Sequence, residues 1–382
     1  MSSTYDAIII GLGAMGSATA YQLARRGVRV LGLERFTPAH SRGSSHGHSR
    51  IIRQAYMEDP AYVPLLLRAY ELWEEIERES GQALLTLTGG LMLGAPDSQA
   101  VAGAARSAEE HGLPYELLDA ADLRRRFPPL RPEPGTVALY EHRAGFVRPE
   151  ASIGAFLGRA AALGAELRFE EPALCWEAGE RGVRVTTARG TYEAGRLVVA
   201  GGAWAPELLG ELGAPLHARR KVLFWFTPTG GVEPFLPDRF PIYIWELSPE
   251  LSFYGFPHQE GAPGGIKVAL HSGGEPCTPE TIDRTVRPED VTAIREAVGE
   301  RIPALQGPLL EAATCMYTMT PDEHFVVGMH PSRPNVVVAS PCSGHGFKFT
   351  SVMGEVLADL AQTGETRHPI RLFSPLRFSA TT

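Results

Sequence analysis

Residues 7–34, AIIIGLGAMGSATAYQLARRGVRVLGLE, decide the fold that this sequence predicts. They contain an apolar strand, a glycine-rich turn, a helix and a second apolar strand, in the order of a βαβ unit. In the GxGxxG turn, Gly11 permits a tight bend, Gly13 lets a pyrophosphate approach the backbone, and Gly16 lets the helix pack on the strand. Glu34 follows Gly11 by 23 residues and can accept hydrogen bonds from ribose hydroxyls. The stretch therefore predicts a dinucleotide site, and a glycine turn that only packs tightly is the alternative.

Glu34 restricts the choice of cofactor but leaves two candidates. NAD and FAD both carry an adenosine ribose, so the acid does not separate them, whereas the 2′-phosphate of NADP would meet a carboxylate. A buried strand over residues 197–200 ends in Gly201 and Gly202, where the backbone can again approach a cofactor.

The composition is that of an acidic globular chain. Of its 382 residues, 44% are hydrophobic and 21% charged, and acidic residues outnumber basic ones by 44 to 36. Proteins that bind nucleic acid through its phosphates carry the opposite balance, so we expect no nucleic-acid partner. Four cysteines without a CxxC pair favour a reduced, cytoplasmic chain. The N-terminus lacks a basic signal-peptide region, and residues 7–24 hold too many glycines and polar side chains for a membrane span.

The segments after the βαβ unit alternate between loops and helices. Residues 40–53 are polar and basic, which predicts a loop. Asp59 as N-cap and Pro60 at the first helical position begin a helix, and Gly81 ends it. A second helix begins after Pro149.

The middle of the chain has a different pattern from its two ends. Residues 183–187 and 191–194 predict a hairpin, separate from the strand at 197–200. Residues 221–310 are rich in aromatics and prolines and lack βα alternation, which predicts a mostly antiparallel layer. Strand–glycine–helix order returns at the strand over 336–339, so the nucleotide domain is expected to form from both ends of the chain.

Several cations are candidates for chemistry. Arg50 and Arg53 lie three residues apart in the loop, and Lys348 lies in the first turn of the last helix, where a cation opposes the helix dipole unless an anion binds. Lys267 and His271 would face the same side of a strand. A solvated surface lysine at position 348, and a water-facing sheet edge at 267–271, are the alternatives.

Four segments carry a resemblance to a known family. GLGAMGSATAYQLARRG at 11–27, GSSHGHSRIIRQAY at 43–56, AATCMYTMTPDEHFVVG at 312–328 and SPCSGHGFKFTS at 340–351 together resemble the monomeric sarcosine oxidase family, which includes N-methyltryptophan and pipecolate oxidases. The likeness extends over nearly the whole chain, in the same order.

The resemblance implies an α/β (α+β) flavoprotein with two domains, similar in type to D-amino-acid oxidase. A Rossmann-like, ββα-type FAD-binding domain would comprise residues 1–85, 145–218 and 320–382. An inserted, mostly antiparallel substrate domain would comprise residues 86–144 and 219–319.

The family carries one FAD attached through a cysteine sulfur to the 8α position of the flavin, and Cys315 is the cysteine at that motif position. Arg50 would lie against the flavin and support the attachment, because nearby cations favour a thiolate. The end of the helix near Lys348 would face the pyrimidine side of the flavin. The cofactor contacts that the resemblance implies are Gly11, Gly13, Gly16, Glu34, Ser45, His46, Arg50, Gly201, Gly202, Cys315, Gly344, Gly346 and Lys348.

The resemblance also implies how a substrate would be held. Arg53 and Lys348 are similar to the pair that binds the substrate carboxylate. The residues that flank the amine would be Tyr254, Tyr317 and His271. Lys267 would promote oxygen reduction near flavin N5 by stabilising superoxide.

The implied function is oxidative demethylation of sarcosine and related N-methyl or secondary amino acids, which yields the primary amino acid, formaldehyde and hydrogen peroxide. The alternatives are an oxidase of N-methyltryptophan, pipecolate or proline, an NAD-dependent dehydrogenase, and a non-catalytic flavin-binding protein. Ile244 and Trp245 stand where sarcosine-specific relatives carry Met and Val, which leaves the substrate open. We expect a monomer with a small amine and molecular oxygen as partners, without metal or membrane.

Overall fold

The computed structural model describes residues 5–212, 214–261 and 264–378, and this part of the chain forms twenty strands and eight α-helices. The strands are β1 (Tyr5–Ile10), β2 (Val30–Leu33), β3 (Arg50–Ile52), β4 (Leu85–Leu87), β5 (Gly90–Gly94), β6 (Glu116–Asp119), β7 (Val137–Glu141), β8 (Gly145–Val147), β9 (Glu166–Arg168), β10 (Cys175–Gly179), β11 (Gly182–Thr187), β12 (Gly190–Val199), β13 (His217–Phe226), β14 (Ile242–Ser248), β15 (Leu251–Gly255), β16 (Ile266–Leu270), β17 (Pro276–Cys277), β18 (Leu309–Met319), β19 (Val326–His330) and β20 (Arg333–Ser340). The helices are α1 (Ala14–Arg25), α2 (Val63–Ser80), α3 (Ala104–His111), α4 (Ala120–Arg126), α5 (Pro149–Ala162), α6 (Ala205–Leu208), α7 (Pro288–Val298) and α8 (Thr350–Thr363).

The first sheet has eight strands, and β1 lies in its parallel centre between β12 and β2. Ile9 points to the face covered by α1, α2, α5 and α8. Ile8 and Ile10 point to the opposite face, where Leu209 and Leu212 pack. Both faces are buried, as the continuous apolar run of the sequence predicts. The C-terminal end of β1 therefore delivers the glycine turn to the edge of a rigid sheet.

The predicted hairpin is confirmed, but the prediction of a separate strand at 197–200 is wrong. β12 is one ten-residue strand that pairs antiparallel with β11 at its start and parallel with β1 and β20 at its end. A strand can change partners along its length without a break, because each edge makes its own hydrogen bonds.

The second sheet has nine strands, in the order β17-β13-β16-β15-β14-β5-β7-β6 with β18 on the free edge of β13. Every pair is antiparallel except β14 with β5. Its strands come from residues 90–141 and 217–319, and those of the first sheet from 5–33, 166–199 and 326–340. This membership supports the predicted division into two domains, which stays a prediction.

The loop predicted over residues 40–53 ends in a short strand, so that prediction is wrong for its last residues. β3 pairs with β8 in a three-stranded sheet that also contains β4. β3 contains only two apolar residues, Ile51 and Ile52, and they follow a long polar segment. The sequence pattern therefore does not indicate a strand here.

The predicted helix ends are confirmed at α2. The Asp59 carboxylate accepts a hydrogen bond from the Ala61 N–H at 2.8 Å, a 3₁₀ turn over Pro60–Tyr62 leads into α2, and Gly81 ends the helix with φ +69°. None of the helices in the described ranges is both long and apolar enough to cross a bilayer.

Candidate active site

A cavity of about 420 Å³ lies between the two sheets, at the C-terminal end of β1. Ligands bind in this position in open α/β sheets, outside the carboxyl ends of the parallel strands. The predicted site residues that line it are Gly11, Gly13, Glu34, Ser45, Arg50, Gly201, Gly202, Tyr317, Gly344 and Gly346. The cavity therefore brings together glycine turns from both ends of the chain.

The glycine turn has the three properties that the motif predicts. Gly11 has φ +90°, and a side chain there would overlap the Ala200 carbonyl oxygen. A side chain at Gly16 would overlap the Gly11 carbonyl oxygen. A Cβ on Gly13 would meet nothing described within 4 Å, so this position is open toward the cavity. No side chain caps α1, whose first N–H groups are therefore available to a phosphate.

Glu34 supports the same turn from the end of β2. Its carboxylate is buried and accepts hydrogen bonds from the Leu12 N–H at 2.8 Å and the Phe36 N–H at 2.9 Å. The carboxylate also lines the cavity. The turn, the uncapped helix and this acid fit the phosphates and ribose of a bound FAD.

One face of the second sheet carries four predicted residues, of which Tyr317 lines the cavity and Cys315, Lys267 and Tyr254 lie behind its lining. Lys221 pairs with Cys315 and Arg219 with Tyr317 across β13 and β18, and residues directly opposite on antiparallel strands share a face. Trp225 pairs with Lys267, and Ala269 with Tyr254, on the next strands. We call this surface the site face; the opposite face packs on α7.

Cys315 is buried on the site face, beside Arg50 and Ser44. The Arg50 Nη2 donates to the sulfur at 3.7 Å, and the sulfur also lies 3.7 Å from the Ser44 carbonyl oxygen. Burial raises the pKa of the thiol, but His46 and Arg50 outweigh this effect and lower the pKa to about 6. His46 and Arg50 therefore favour the thiolate, the nucleophilic form of a cysteine.

Lys267 is 1% exposed, so the alternative of a water-facing sheet edge is wrong. Its Nζ donates to the Gly47 and Ser49 carbonyl oxygens at 2.6 and 2.8 Å and lies 5.5 Å from the Trp225 ring centroid. Burial, and then Arg50, lower the pKa of Lys267 well below its usual value. The ammonium group is thus fixed against the loop that lines the cavity.

Lys348 and Arg53 both lie over the Tyr56 ring, at 5.2 and 4.3 Å from its centroid. Lys348 is 5% exposed, so a solvated surface lysine is excluded, and burial, then Arg53, lower its pKa to about 7. Arg53 Nη2 donates to both Glu58 carboxylate oxygens, at 2.8 and 2.7 Å. Arg53 Nε is buried and has no partner in the described part of the chain, so one donor is available to an anion.

His271, Tyr254 and Tyr317 form an aromatic group at the end of β16. The His271 ring centroid is 6.2 Å from that of Tyr254 and 5.8 Å from that of Tyr317, and the Tyr317 hydroxyl donates to the Tyr254 hydroxyl at 3.5 Å. Burial, then Lys221, lower the pKa of His271 to about 3. The imidazole is therefore neutral and can accept a hydrogen bond.

Ile244 and Trp245 lie on opposite faces of β14. Ile244 pairs with Tyr254 and belongs to the site face. Trp245 stacks on Phe253 in the core on the opposite face, with ring centroids 5.8 Å apart. Because neighbouring strand residues point in opposite directions, Ile244 is the one of the two that lies on the site face, and an influence on the substrate stays a prediction for Ile244.

Sequence reasoning missed several buried charges beside the site. Glu58 lies in an acidic turn with no motif around it, and burial favours its neutral form, yet Arg53 outweighs this effect and lowers its pKa to about 2. Lys221 belongs to an Arg-Arg-Lys run that is typical of a solvated edge. Glu150 accepts from the Gly47 N–H at 2.6 Å. The one sequence signal for Lys221 is its position in the strand pattern of β13, where alternate side chains point to the same face of the sheet.

Comparisons with known proteins give the family of this chain. The model of the FAD dependent oxidoreductase family matches residues 6–360. The monomeric sarcosine oxidase of Streptomyces avermitilis is 58% identical over 381 residues, covering 100% of this chain and 99% of the relative. The N-methyl-L-tryptophan oxidase of Citrobacter koseri is 35% identical, covering 98% and 99%.

A solved structure shows the same fold. NikD, described as an unusual amino acid oxidase essential for nikkomycin biosynthesis, superimposes in its Tyr258Phe open form with a TM-score of 0.86, 27% identity and 97% coverage of each chain. The glycine oxidase of Geobacillus kaustophilus has a TM-score of 0.81 at 22% identity and covers 98% of this chain and 99% of its own. The predicted fold class is confirmed.

Proposed function

The chain belongs to the FAD-dependent oxidoreductases, with monomeric sarcosine oxidases among its relatives, and we propose that it oxidises sarcosine and related N-methyl or secondary amino acids. With sarcosine, oxygen and water, the products would be glycine, formaldehyde and hydrogen peroxide. The site face carries the proposal, because its Tyr317 lines the cavity and the same face holds Cys315, whose thiolate is favoured, and the buried Lys267. The neutral imidazole of His271 lies beside Tyr317 at the end of β16.

The residues around the cavity fit FAD. The open backbone at Gly13 and the uncapped α1 receive the pyrophosphate, and Glu34 receives the ribose. When bound, the flavin supplies a two-electron acceptor for the amine and passes the electrons to oxygen. We propose that Cys315 holds it through a covalent sulfur bond, with Arg50 and His46 favouring the thiolate.

Lys348 and Arg53 would anchor the substrate carboxylate. Of these two cations, Arg53 is paired with Glu58, whereas the Lys348 Nζ donates to the His345 carbonyl oxygen at 2.7 Å. Arg53 offers its Nε to the carboxylate, and its Nη2 would also be available once the ion pair with Glu58 opens. Fixing the carboxylate places the N-methyl end toward the aromatic group at the end of β16.

His271 would accept a hydrogen bond from the substrate nitrogen. Its pKa of about 3 keeps it neutral, and the hydroxyls of Tyr254 and Tyr317 complete the polar wall on the same side. Such a wall orients the neutral amine, which is the form that can lose a hydride. Lys267, held by backbone carbonyls, would stabilise the negative charge that develops on oxygen.

The finer points of the proposal concern substrate choice and assembly. The relative named N-methyl-L-tryptophan oxidase supports a larger N-methyl amino acid as a second candidate, and Ile244 is the residue of the site face that would decide between them. We propose a cytoplasmic monomer, in keeping with the names of the relatives and the four free cysteines.

Anaerobic mixing of the purified holoenzyme with sarcosine, N-methyl-L-tryptophan, L-pipecolate and glycine tests the function. Sarcosine should bleach the flavin absorbance, and air should then restore it with one peroxide and one formaldehyde per turnover. Glycine, which lacks the N-methyl group, is the matched control. Absence of bleaching with all secondary amines would overturn the proposal.

A further inference from the structure

Lys221 is a buried cation on the site face that the proposed reaction does not use. It lies on β13 directly opposite Cys315 and is 5% exposed. Buried lysines lose their hydration and are costly unless every N–H finds an acceptor. The contacts of this side chain therefore indicate what it is for.

The Lys221 ammonium has three acceptors for its three hydrogens. Its Nζ donates to the carbonyl oxygens of His271, Ser272 and Gly273, at 2.6, 2.7 and 2.7 Å. The same Nζ lies 4.8 Å from the ring centroid of Tyr317, within the range of a cation–π contact. One charged group thus joins the segment after β16 to a tyrosine of the site.

We propose that Lys221 is a positioning residue of the amine site, which ties residues 271–273 to Tyr317 and so fixes the His271 imidazole beside the substrate nitrogen. The assignment rests on the proposed function. Ser252 holds the same segment from the other side, since its N–H donates to the Ser272 Oγ at 2.9 Å and its carbonyl accepts from the His271 N–H at 2.9 Å. Gly273 and Gly274 follow with positive φ, and the chain then pairs with β13 again, where the Arg220 N–H donates to the Glu275 carbonyl oxygen at 2.8 Å.

The charge of Lys221 also acts on its neighbours. Burial, then Arg219, lower the pKa of Lys221 to about 7, while Cys315 and Glu323 raise it. His271 follows β16, and burial, then Lys221, lower its pKa; His345 and Lys348 lower it further, while Glu58 raises it. Loss of the ammonium should therefore raise the pKa of His271, an effect that packing alone would not produce.

Two variants separate the charge of Lys221 from its hydrogen bonds to residues 271–273. Lys221→Met removes both, and we expect flavin reduction by sarcosine to slow tenfold or more, with reoxidation by oxygen within twofold of wild type. Lys221→Gln keeps an amide that can donate to two of the three carbonyls, so reduction should stay within threefold. Both variants should raise the pKa of His271, measured by NMR of the histidine-labelled protein with His271→Gln to assign the signal.

Arg220→Met is the matched control. Arg220 is the adjacent buried cation, but it points to the opposite face and donates to both Asp290 oxygens at 2.8 Å. It should lower thermal stability and leave the His271 titration unchanged. An unmoved His271 pKa in both Lys221 variants, or equal slowing of both half-reactions in Lys221→Met, would overturn the proposal. If Lys221→Met does not fold, the titration of His271 in Lys221→Gln decides. This titration needs no substrate. A wild-type protein that does not oxidise sarcosine would therefore contradict the proposed function without deciding the role of Lys221.

Discussion

The two ends of the cavity are built in different ways. The nucleotide end comes from residues 11–34, a single stretch in which backbone geometry does the work: glycines without side chains, an uncapped helix and one acid. The site face comes from strands spread over residues 217–319, and only their register brings its charges together. A motif can specify the first end by itself, whereas the second needs the whole sheet.

The two ends also differ in what stabilises them. At the nucleotide end, close contacts between backbone atoms leave no room for a methyl group at Gly11 or Gly16. On the site face, buried cations are satisfied by carbonyl oxygens of neighbouring loops, as for Lys267 and Lys221. Substitutions at the first end should therefore act on folding and cofactor uptake, and those at the second on single steps of the reaction.

Gly16→Ala should give the largest effect, loss of folded protein, because its methyl group would overlap the Gly11 carbonyl oxygen. Gly13→Ala is the matched control, since its methyl group meets no described protein atom within 4 Å. We expect the Gly13 variant to fold but to take up little FAD. Circular dichroism and the flavin-to-protein absorbance ratio measure the two effects. A folded, flavin-rich Gly13→Ala protein would show that no phosphate lies against this turn.

Lys267→Met should slow reoxidation of the flavin by oxygen about 10²-fold, or about 2.7 kcal/mol, as expected for losing one preorganised charge. Anaerobic reduction by sarcosine should remain within about tenfold of wild type. Stopped-flow absorbance follows each half-reaction separately.

The contrasting variant is His271→Gln, which should slow the reductive half and spare the oxidative half. Normal reoxidation in Lys267→Met would remove this lysine from oxygen chemistry. Equal losses in both halves would indicate general damage to the site face.

Lys348→Met should weaken binding of a simple carboxylate such as acetate by about 2 kcal/mol or more, roughly 30-fold, because a desolvated ion pair is lost. Titration of the flavin spectrum with acetate measures the affinity. Reduction by dithionite, which needs no carboxylate site, should be unchanged.

The same lysine gives a pH signature. Since burial lowers the pKa of Lys348 to about 7, its cationic form is lost as the pH rises through that value, and acetate affinity should fall between pH 7 and 9. The Lys348→Met variant should show a flat profile in this interval. Equal profiles in both proteins would place the carboxylate elsewhere.

Ile244→Met should give the smallest effect, a change of up to about tenfold in the preference between sarcosine and N-methyl-L-tryptophan, as one reshaped wall allows. Trp245→Val is the control on the opposite face. It should cost about 3 kcal/mol of stability by leaving a cavity beside Phe253, with the preference unchanged. The ratio of kcat/KM values for the two amines, and urea unfolding, measure these outcomes.

Most of the fold was accessible from the sequence, because hydrophobic periodicity and glycine punctuation are local. The βαβ unit, the α2 boundaries and the antiparallel middle layer followed from such patterns. The continuity of β12 could not be predicted from the sequence, because a strand can change its pairing partner without a change in residue type.

The site was accessible only in part. Spacing predicted the role of the glycine turn, and the family resemblance suggested Cys315 and the cations. Neither predicted that Glu58 occupies the Arg53 fork or that Lys221 binds three carbonyls, because both depend on loops that meet only in three dimensions. The sequence does not show either that Ile244 and Trp245 lie on opposite faces of β14, because this depends on the strand register.

Acid precipitation of the purified holoenzyme tests most directly that the site face holds the cofactor. Cys315 is the buried, thiolate-favouring cysteine on that face, whereas Cys342 lines the cavity and has a pKa raised by burial. Wild type and Cys342→Ala should leave yellow pellets, and Cys315→Ala should release any flavin into the supernatant. A yellow, acid-stable pellet from Cys315→Ala would contradict the account.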